Sequence, residues 1–174
     1  LTVVRKRLVT ENEGLRLCVG LLREVNDVGR SQYLHPGQQL RVPTDVPNVL
    51  VDLDARLLVY RHGTEAVAAW VAGIGKEGHP PPTGRFRAGE KLEEPPWMPV
   101  GGAQLPFGHP ENPLGTRWIA WLRDGVKTTY GFHGTWEPQG VGGRVSLGCI
   151  RMRNEDVEHL FELLPMGSEI VVQP

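Results

Sequence analysis

The sequence predicts a mainly β domain of sandwich or barrel-like form with one helix packed on it, preceded by a small α+β module. Three observations carry this expectation. Gly (22) and Pro (15) make up about a fifth of 174 residues, against an average of about 12%, which calls for many turns between short elements. Apolar residues alternate with polar ones in short runs from Val49 onward, the period of half-buried strands. Near the C-terminus the period changes once, to that of an amphipathic helix.

The elements follow in chain order. Glu11 to Asn26 is rich in helix formers, with Leu15, Cys18, Val19, Leu22 and Val25 at three- and four-residue spacing, so a helix is expected there. Tyr33 to Pro43 contains the Pro36-Gly37 turn and then reads as a short alternating strand. Pro43 and Pro47 bracket Thr44-Asp45-Val46. X-Pro steps hold the chain extended, so a linker falls here and divides a module at 1–45 from a domain at 46–174. Val49, Val51 and Leu53 alternate with Asp52 and Asp54, and strands are expected next at Leu57–Tyr60, Ala66–Ile74 and Gly84–Ala88. Arg117–Leu122, Thr128–Phe132 and Glu169–Val172 complete the series. The helix begins at Asn154, read as its cap, carries Glu155 and Asp156 in its first turn, and is closed by Pro165. Val157, Leu160, Phe161 and Leu164 form its apolar stripe, and His159 falls outside it.

Charge and cysteine usage narrow the function. Nineteen basic and 20 acidic side chains leave a net charge of -1, which gives no general attraction to nucleic acid or an anionic membrane. The longest apolar run, Ala66 to Ile74, is half of the roughly 18 residues a membrane span needs. Residues 1–7 are basic but lack the apolar core of a signal peptide, and because the chain does not start with Met a removed export signal stays open. Cys18 and Cys149 are too few for a disulfide framework, and no C-x-x-C pair suggests zinc. His35, His62, His79 and His109 are scattered without ligand spacing, so no metal is expected; His79 and His109 sit in Pro-rich loops that could rim a cleft.

The chemistry-bearing stretch is His133-Gly134-Thr135 followed by Ser146-Leu147-Gly148-Cys149-Ile150-Arg151-Met152. A thiol is a nucleophile as thiolate, and a nearby imidazole is the usual means of removing its proton. Gly148 lets the backbone come close to a substrate carbonyl, with amides available to a developing oxyanion. In an extended segment Arg151 shares a face with Cys149, suited to a substrate carboxylate or to holding the loop. Buried cysteines are also common as inert packing, and on the residues alone both readings of Cys149 remain open.

The two stretches together resemble the H-G-[TN] … S-x-G-C-[IVL]-R-[ML] signature of the L,D-transpeptidase catalytic domain, the YkuD-like family. Pro82-Thr83-Gly84-Arg85-Phe86, Leu114 to Ile119, Tyr130-Gly131-Phe132, the helix from Asn154 and the strand from Met166 to Val172 resemble the family's other segments, so the likeness runs from Val49 to Val172. Many members carry His where this chain has Leu147.

The resemblance implies an L,D-transpeptidase-type β fold and an enzyme that cross-links peptidoglycan outside the cytoplasm. Cys149 is implied as the nucleophile on a tetrapeptide stem, with D-alanine leaving and an amine resolving the thioester. His133 is implied as the base, oriented by the Gly134 carbonyl. The amides at Gly148 and Leu147 are implied at the oxyanion, and Arg151, Ser146, Tyr130 and Trp136 on the substrate side. No cofactor or metal is implied. Water as the acceptor would give an L,D-carboxypeptidase instead, and a wall-binding protein without catalysis is a further alternative. A papain-like peptidase fits less well, because there the Cys precedes the His. Residues 21–26 and 33–43 resemble the second half of a LysM domain, implying glycan strands as partners for residues 1–45, while residues 1–11 match the usual LysM opening poorly.

Overall fold

A computed structural model of the chain describes residues 1–11 and 17–174. The domain after the linker is built from ten strands and one α-helix, with a single 3-10 turn at Pro138–Gly140. In order these are β1 (Pro47–Asp52), β2 (Leu57–His62), β3 (Glu65–Val71), β4 (Ile74–Gly75), β5 (Gly84–Glu93), β6 (Arg117–Arg123), β7 (Val126–His133), β8 (Arg144–Ser146), β9 (Ile150–Arg151), α3 (Asn154–Leu163) and β10 (Glu169–Gln173). Two helices precede them, α1 (Thr2–Glu11) and α2 (Val19–Glu24).

Eight strands form one sheet in the order β3-β2-β1-β10-β5-β6-β7-β9, and β4 pairs with β8 in a second, two-stranded sheet. Most neighbours are antiparallel, but β1–β10, β7–β9 and β4–β8 run parallel. The large sheet curls until its edges meet. Gly73, just past β3, exchanges both backbone hydrogen bonds with Arg151 on β9, at 2.7 and 2.8 Å. A side chain at Gly73 would press on Val145 and on Arg151 Cβ at 3.2 and 3.3 Å. Closure is tight at that point, where an added Cβ would make Val145 or Arg151 give by a few tenths of an ångström, and it breaks the expected single strand 66–74 into β3 and β4.

The alternation read in the sequence becomes the core. Val49, Val51, Leu58, Tyr60, Phe86, Ile119, Trp121, Phe132, Ile150, Ile170 and Val172 are buried together. On α3 and at its C-cap, Val157, Leu160, Leu163 and Leu164 pack against them, while Phe161 is half-buried beneath the Lys91 ammonium, 4.3 Å from its ring centre. The structure places the cap one residue earlier than the sequence implies. Asn154 is the first residue inside α3, Arg153 stands at the cap position, and no side chain caps the helix. His159 is partly exposed and meets Trp70 edge-on at 5.5 Å.

The N-terminal module departs further from expectation. The helix expected over 11–26 is present only as Val19–Glu24 among the described residues, and Leu15 lies outside them. α1 was not anticipated. No strand forms among the described residues of 1–45, because Tyr33–Pro43 finds no partner strand. The Asn26 side chain takes that place: its amide donates to Arg41 O at 2.8 Å and its oxygen accepts from Arg41 N–H at 2.6 Å. Leu17, Leu21 and Leu22 form a second small core with Leu1, Leu8, Cys18, Val25 and Val42. The module packs on α3. Cys18 Sγ donates to the carbonyls of Glu162 and Leu163 at 2.6 and 3.2 Å, and Arg30 pairs with Glu162. Burial raises the Cys18 thiol pKa above its ordinary value, so this cysteine is an inert packing group. No described helix is long and apolar enough to cross a membrane.

Candidate active site

β7 and β9 assemble the site. Their parallel register sets Phe132 beside Ile150 and His133 beside Arg151. Phe132 and Ile150 point into the core with no exposure, so alternation turns His133 and Arg151 to the opposite face. Cys149, one residue before β9 and level with Gly131, shares that face. Residues distant in sequence thus come onto one face of adjoining strands.

His133 is buried, at 4% exposure, and its ring stacks on its cross-strand neighbour Trp118, centroids 6.2 Å apart. Nδ1 lies 2.6 Å from Gly134 O. A carbonyl can only accept, so Nδ1 carries the proton and Nε2 is left as the acceptor. Burial pushes the imidazole pKa down to about 4, and Arg151's charge adds to this, outweighing the Gly134 hydrogen bond. Cys149 is half-buried, and its thiol donates to Thr129 O at 3.6 Å. Burial pushes the thiol up to about 11, against the opposing pull of the Gly131 backbone and Arg151. Sulfur and imidazole share no hydrogen bond in the resting arrangement. At neutral pH the pair is therefore thiol and neutral imidazole, rather than the ionised pair that the motif suggests.

The loop between β8 and β9 is tied within itself. Ser146 Oγ donates to Cys149 O at 2.6 Å and accepts from Gly148 N–H at 3.1 Å. That hydroxyl, expected on the substrate side, is buried and spent on loop shape. Gly148 N–H is spent too, whereas the amides of Leu147 and Cys149 make no hydrogen bond to a described residue. Gly148 has φ +113°. Arg151 is nearly buried; its Nη1 meets Glu137 at 3.2 Å, and its Nε has no partner among the described residues. Leu147 is two-thirds exposed at the rim.

The two aromatic candidates separate. Tyr130 alternates with Phe132 toward the core side, and its ring underlies Gly148, 2.8 Å from where a Cβ would stand. It supports the loop from beneath. Trp136 is exposed, 5.6 Å from Phe107 centroid to centroid. With Pro110, Glu111, Asn112, Pro113, Thr135 and Glu137 it lines a pocket of about 220 Å³ beside His133-Gly134-Thr135. A larger cavity, about 480 Å³, lies between α2 and α3, away from the thiol. His79 brings its carbonyl to 3.7 Å from the would-be Cβ of Gly148, and His109 Nδ1 accepts from Glu111 N–H within its own loop. Sequence reasoning passed over Glu137, Trp118 and Asn154. Glu137 and Trp118 carry no local signal of a role, and Asn154 read as a helix cap.

The buried neutral imidazole makes stability depend on pH. The unfolded chain binds the His133 proton near pH 6.5, whereas the folded chain does so only near pH 4. Stability is therefore full above pH 6.5 and declines as pH falls toward 4, by about 3 kcal/mol from this group alone. Urea unfolding of the parent and His133→Gln at pH 7 and pH 4.5 checks this. The parent should lose about 2 kcal/mol more than the variant, and equal losses would refute it.

Comparison with known proteins agrees with this architecture. The sequence matches the L,D-transpeptidase catalytic domain family, YkuD, over residues 47–172. The Bacillus subtilis protein YqjB, named as an L,D-transpeptidase, is 34% identical over 127 residues, covering 72% of this chain and 70% of YqjB. ErfK/SrfK of Salmonella typhimurium, likewise named, is 33% identical over 151 residues, covering 78% of this chain and 47% of its own. The chain thus spans about half the length of that relative. Among solved structures, an L,D-transpeptidase from Mycobacterium smegmatis shares the fold with TM-score 0.59 and 21% identity, covering 74% of this chain and 58% of that one. An Enterococcus faecium L,D-transpeptidase does so with TM-score 0.57 and 22% identity, covering 83% and 56%. The family match across the strands that carry His133 and Cys149, the relative aligned over most of both lengths, and the shared curled sheet with its packed helix lead to one conclusion: this chain belongs to the L,D-transpeptidase (YkuD) family of enzymes.

Proposed function

We propose that Cys149 forms a thioester with a peptidoglycan tetrapeptide stem, releases D-alanine, and passes the acyl group to an amine. One observation carries the reading: His133 and Cys149 share a face of adjoining strands, with Nδ1 engaged by Gly134 O and Nε2 left to accept the thiol proton. Because both groups rest neutral, proton transfer accompanies attack. The thiol turns from Thr129 O toward Nε2 and gives up its proton as sulfur adds to the carbonyl before D-alanine. The oxyanion lies against the free amides of Leu147 and Cys149. The imidazolium then protonates the leaving amine, D-alanine departs, and the thioester remains. An acceptor amine attacks, yields its proton to Nε2, and the sulfur leaves and regains a proton. Arg151 and its Glu137 partner hold the floor of the site, and Trp136 borders the approach. The reading sets the substrate in the wall, outside the cytoplasm, and requires no cofactor.

The test is product analysis by mass spectrometry with a defined tetrapeptide donor, with and without an amine acceptor. Released D-alanine and an acyl adduct on Cys149 are expected, resolving to a cross-linked dimer when acceptor is added. A tripeptide alone in both arms would make the enzyme a carboxypeptidase. No released D-alanine, with binding to insoluble peptidoglycan, would make it a wall-binding protein.

Glycan binding by residues 1–45 is proposed on the LysM-like resemblance of residues 21–26 and 33–43. Sacculus pull-down of the chain with and without residues 1–45 tests it: unchanged binding reduces the module to a spacer seated on α3.

A further inference from the structure

The peptide unit between Gly134 and Thr135 is held from both sides. Its carbonyl accepts from His133 Nδ1 at 2.6 Å, and its N–H donates to Asn154 Oδ1 at 3.0 Å. In a trans peptide these groups lie in one plane and point in opposite directions, so holding the N–H aims the carbonyl. The same Asn154 oxygen accepts from Thr116 N–H at 3.2 Å, tying the start of β6 to the end of β7. The surroundings are shaped for it. A Cβ on Gly134 would stand 2.1 Å from Asn154 Oδ1, and one on Gly115 would stand 2.3 Å away. His133 O accepts from Met152 N–H at 2.8 Å, so the main chain here has little freedom except through the peptide that Asn154 holds.

We propose that Asn154 is a positioning residue for His133, acting through the Gly134–Thr135 peptide to hold the imidazole with its proton on Nδ1 and Nε2 open to the thiol. The inference rests on His133 being the base. Asn154, the peptide and the imidazole form one chain of hydrogen bonds, each polarising the next. The side chain contributes nothing to capping α3, which leaves its oxygen to the loop. The charged group acting on the imidazole is Arg151 from β9, with Glu137 reaching Arg151, and Cys149 precedes β9 on the same face. Glu155 and Asp156 follow Asn154 on the first turn of α3.

Asn154→Ala and Asn154→Asp separate a positioning role from a merely structural one. Aspartate keeps an acceptor for both N–H groups, adds negative charge to the chain, and suits a helix N-terminus, so it should fold. For D-alanine release, Asn154→Ala should lower kcat about 10- to 100-fold with KM little changed. Asn154→Asp should recover kcat to within about fivefold and move the acid limb of kcat/KM up by about half a pH unit or more. The His133 Nδ1 proton resonance should shift in both variants. Parent-like kcat in Asn154→Ala, or an unmoved acid limb and Nδ1 resonance in folded Asn154→Asp, overturns the inference. If Asn154→Ala does not fold, Asn154→Asp decides alone. Turnover that survives Cys149→Ala would instead overturn the proposed function itself.

Discussion

Cys149→Ala is expected to abolish release of D-alanine, with a loss of about 10⁴-fold or more, because no other group in the site can carry the acyl chain. Cys18 is no substitute: its thiol is buried against α3 and donates to two helix carbonyls. The fold should survive, since Cys149 is half-buried and lies outside the hydrophobic core. The thiol's own titration gives a second reading on the parent enzyme. With its pKa pushed up to about 11, only about one thiol in 10⁴ is ionised at pH 7. Alkylation of Cys149 by iodoacetamide should then accelerate about tenfold per pH unit from pH 7 toward 11. A plateau already reached by pH 7, read by mass analysis of the alkylated peptide, would mean that His133 ionises the thiol before substrate arrives. The parent should nonetheless turn over donor at pH 7, because Nε2 takes the proton during attack.

Gly148→Ala should be the next most damaging, for two separable reasons. The backbone at Gly148 has φ +113°, a region that side chains other than glycine enter at a cost of about 1–3 kcal/mol. The new methyl would also meet the Tyr130 ring at 2.8 Å. Either the ring or the loop must move, and the loop carries the amides of Leu147 and Cys149. A displacement near 1 Å there is enough to cost about 10²-fold in kcat, alongside a stability loss of about 2–4 kcal/mol. The double variant Gly148→Ala/Tyr130→Ala divides the two causes. Relief of the contact should restore part of the stability, while the φ strain and most of the lost rate persist. Full recovery of rate in the double variant, or parent-like kcat in Gly148→Ala, would show that the loop does not depend on this backbone angle.

Much of the molecule could be read from local pattern. The alternation from Val49 marked β1, and β2, β5, β6, β7 and β10 stand where short apolar runs lay between turns. α3 followed from the spacing of Val157, Leu160 and Leu164. His133 and Cys149 stood out as candidates only through the resemblance of their stretches to the family's motif. Where expectation failed, a partner far along the chain had intervened. Gly73 bonds across to Arg151 and divides one expected strand in two. Asn26 satisfies Arg41 and removes the need for a strand in the N-terminal module. Tyr130, next to the motif in sequence, falls on the core side because each step along a strand reverses the face.

Period and composition by themselves determined that residues 46–174 would form strands with one amphipathic helix, and the motif singled out one sulfur and one imidazole. Tertiary structure alone decided the state of that pair. Strand pairing set the two groups on one face, and burial held both neutral. The Gly134 carbonyl selected the tautomer, and an asparagine that looked like a helix cap was turned to hold that carbonyl's peptide. The physical reason is one of range: backbone preference and side-chain periodicity act within a few residues, whereas desolvation and hydrogen-bond direction depend on atoms that only folding brings near.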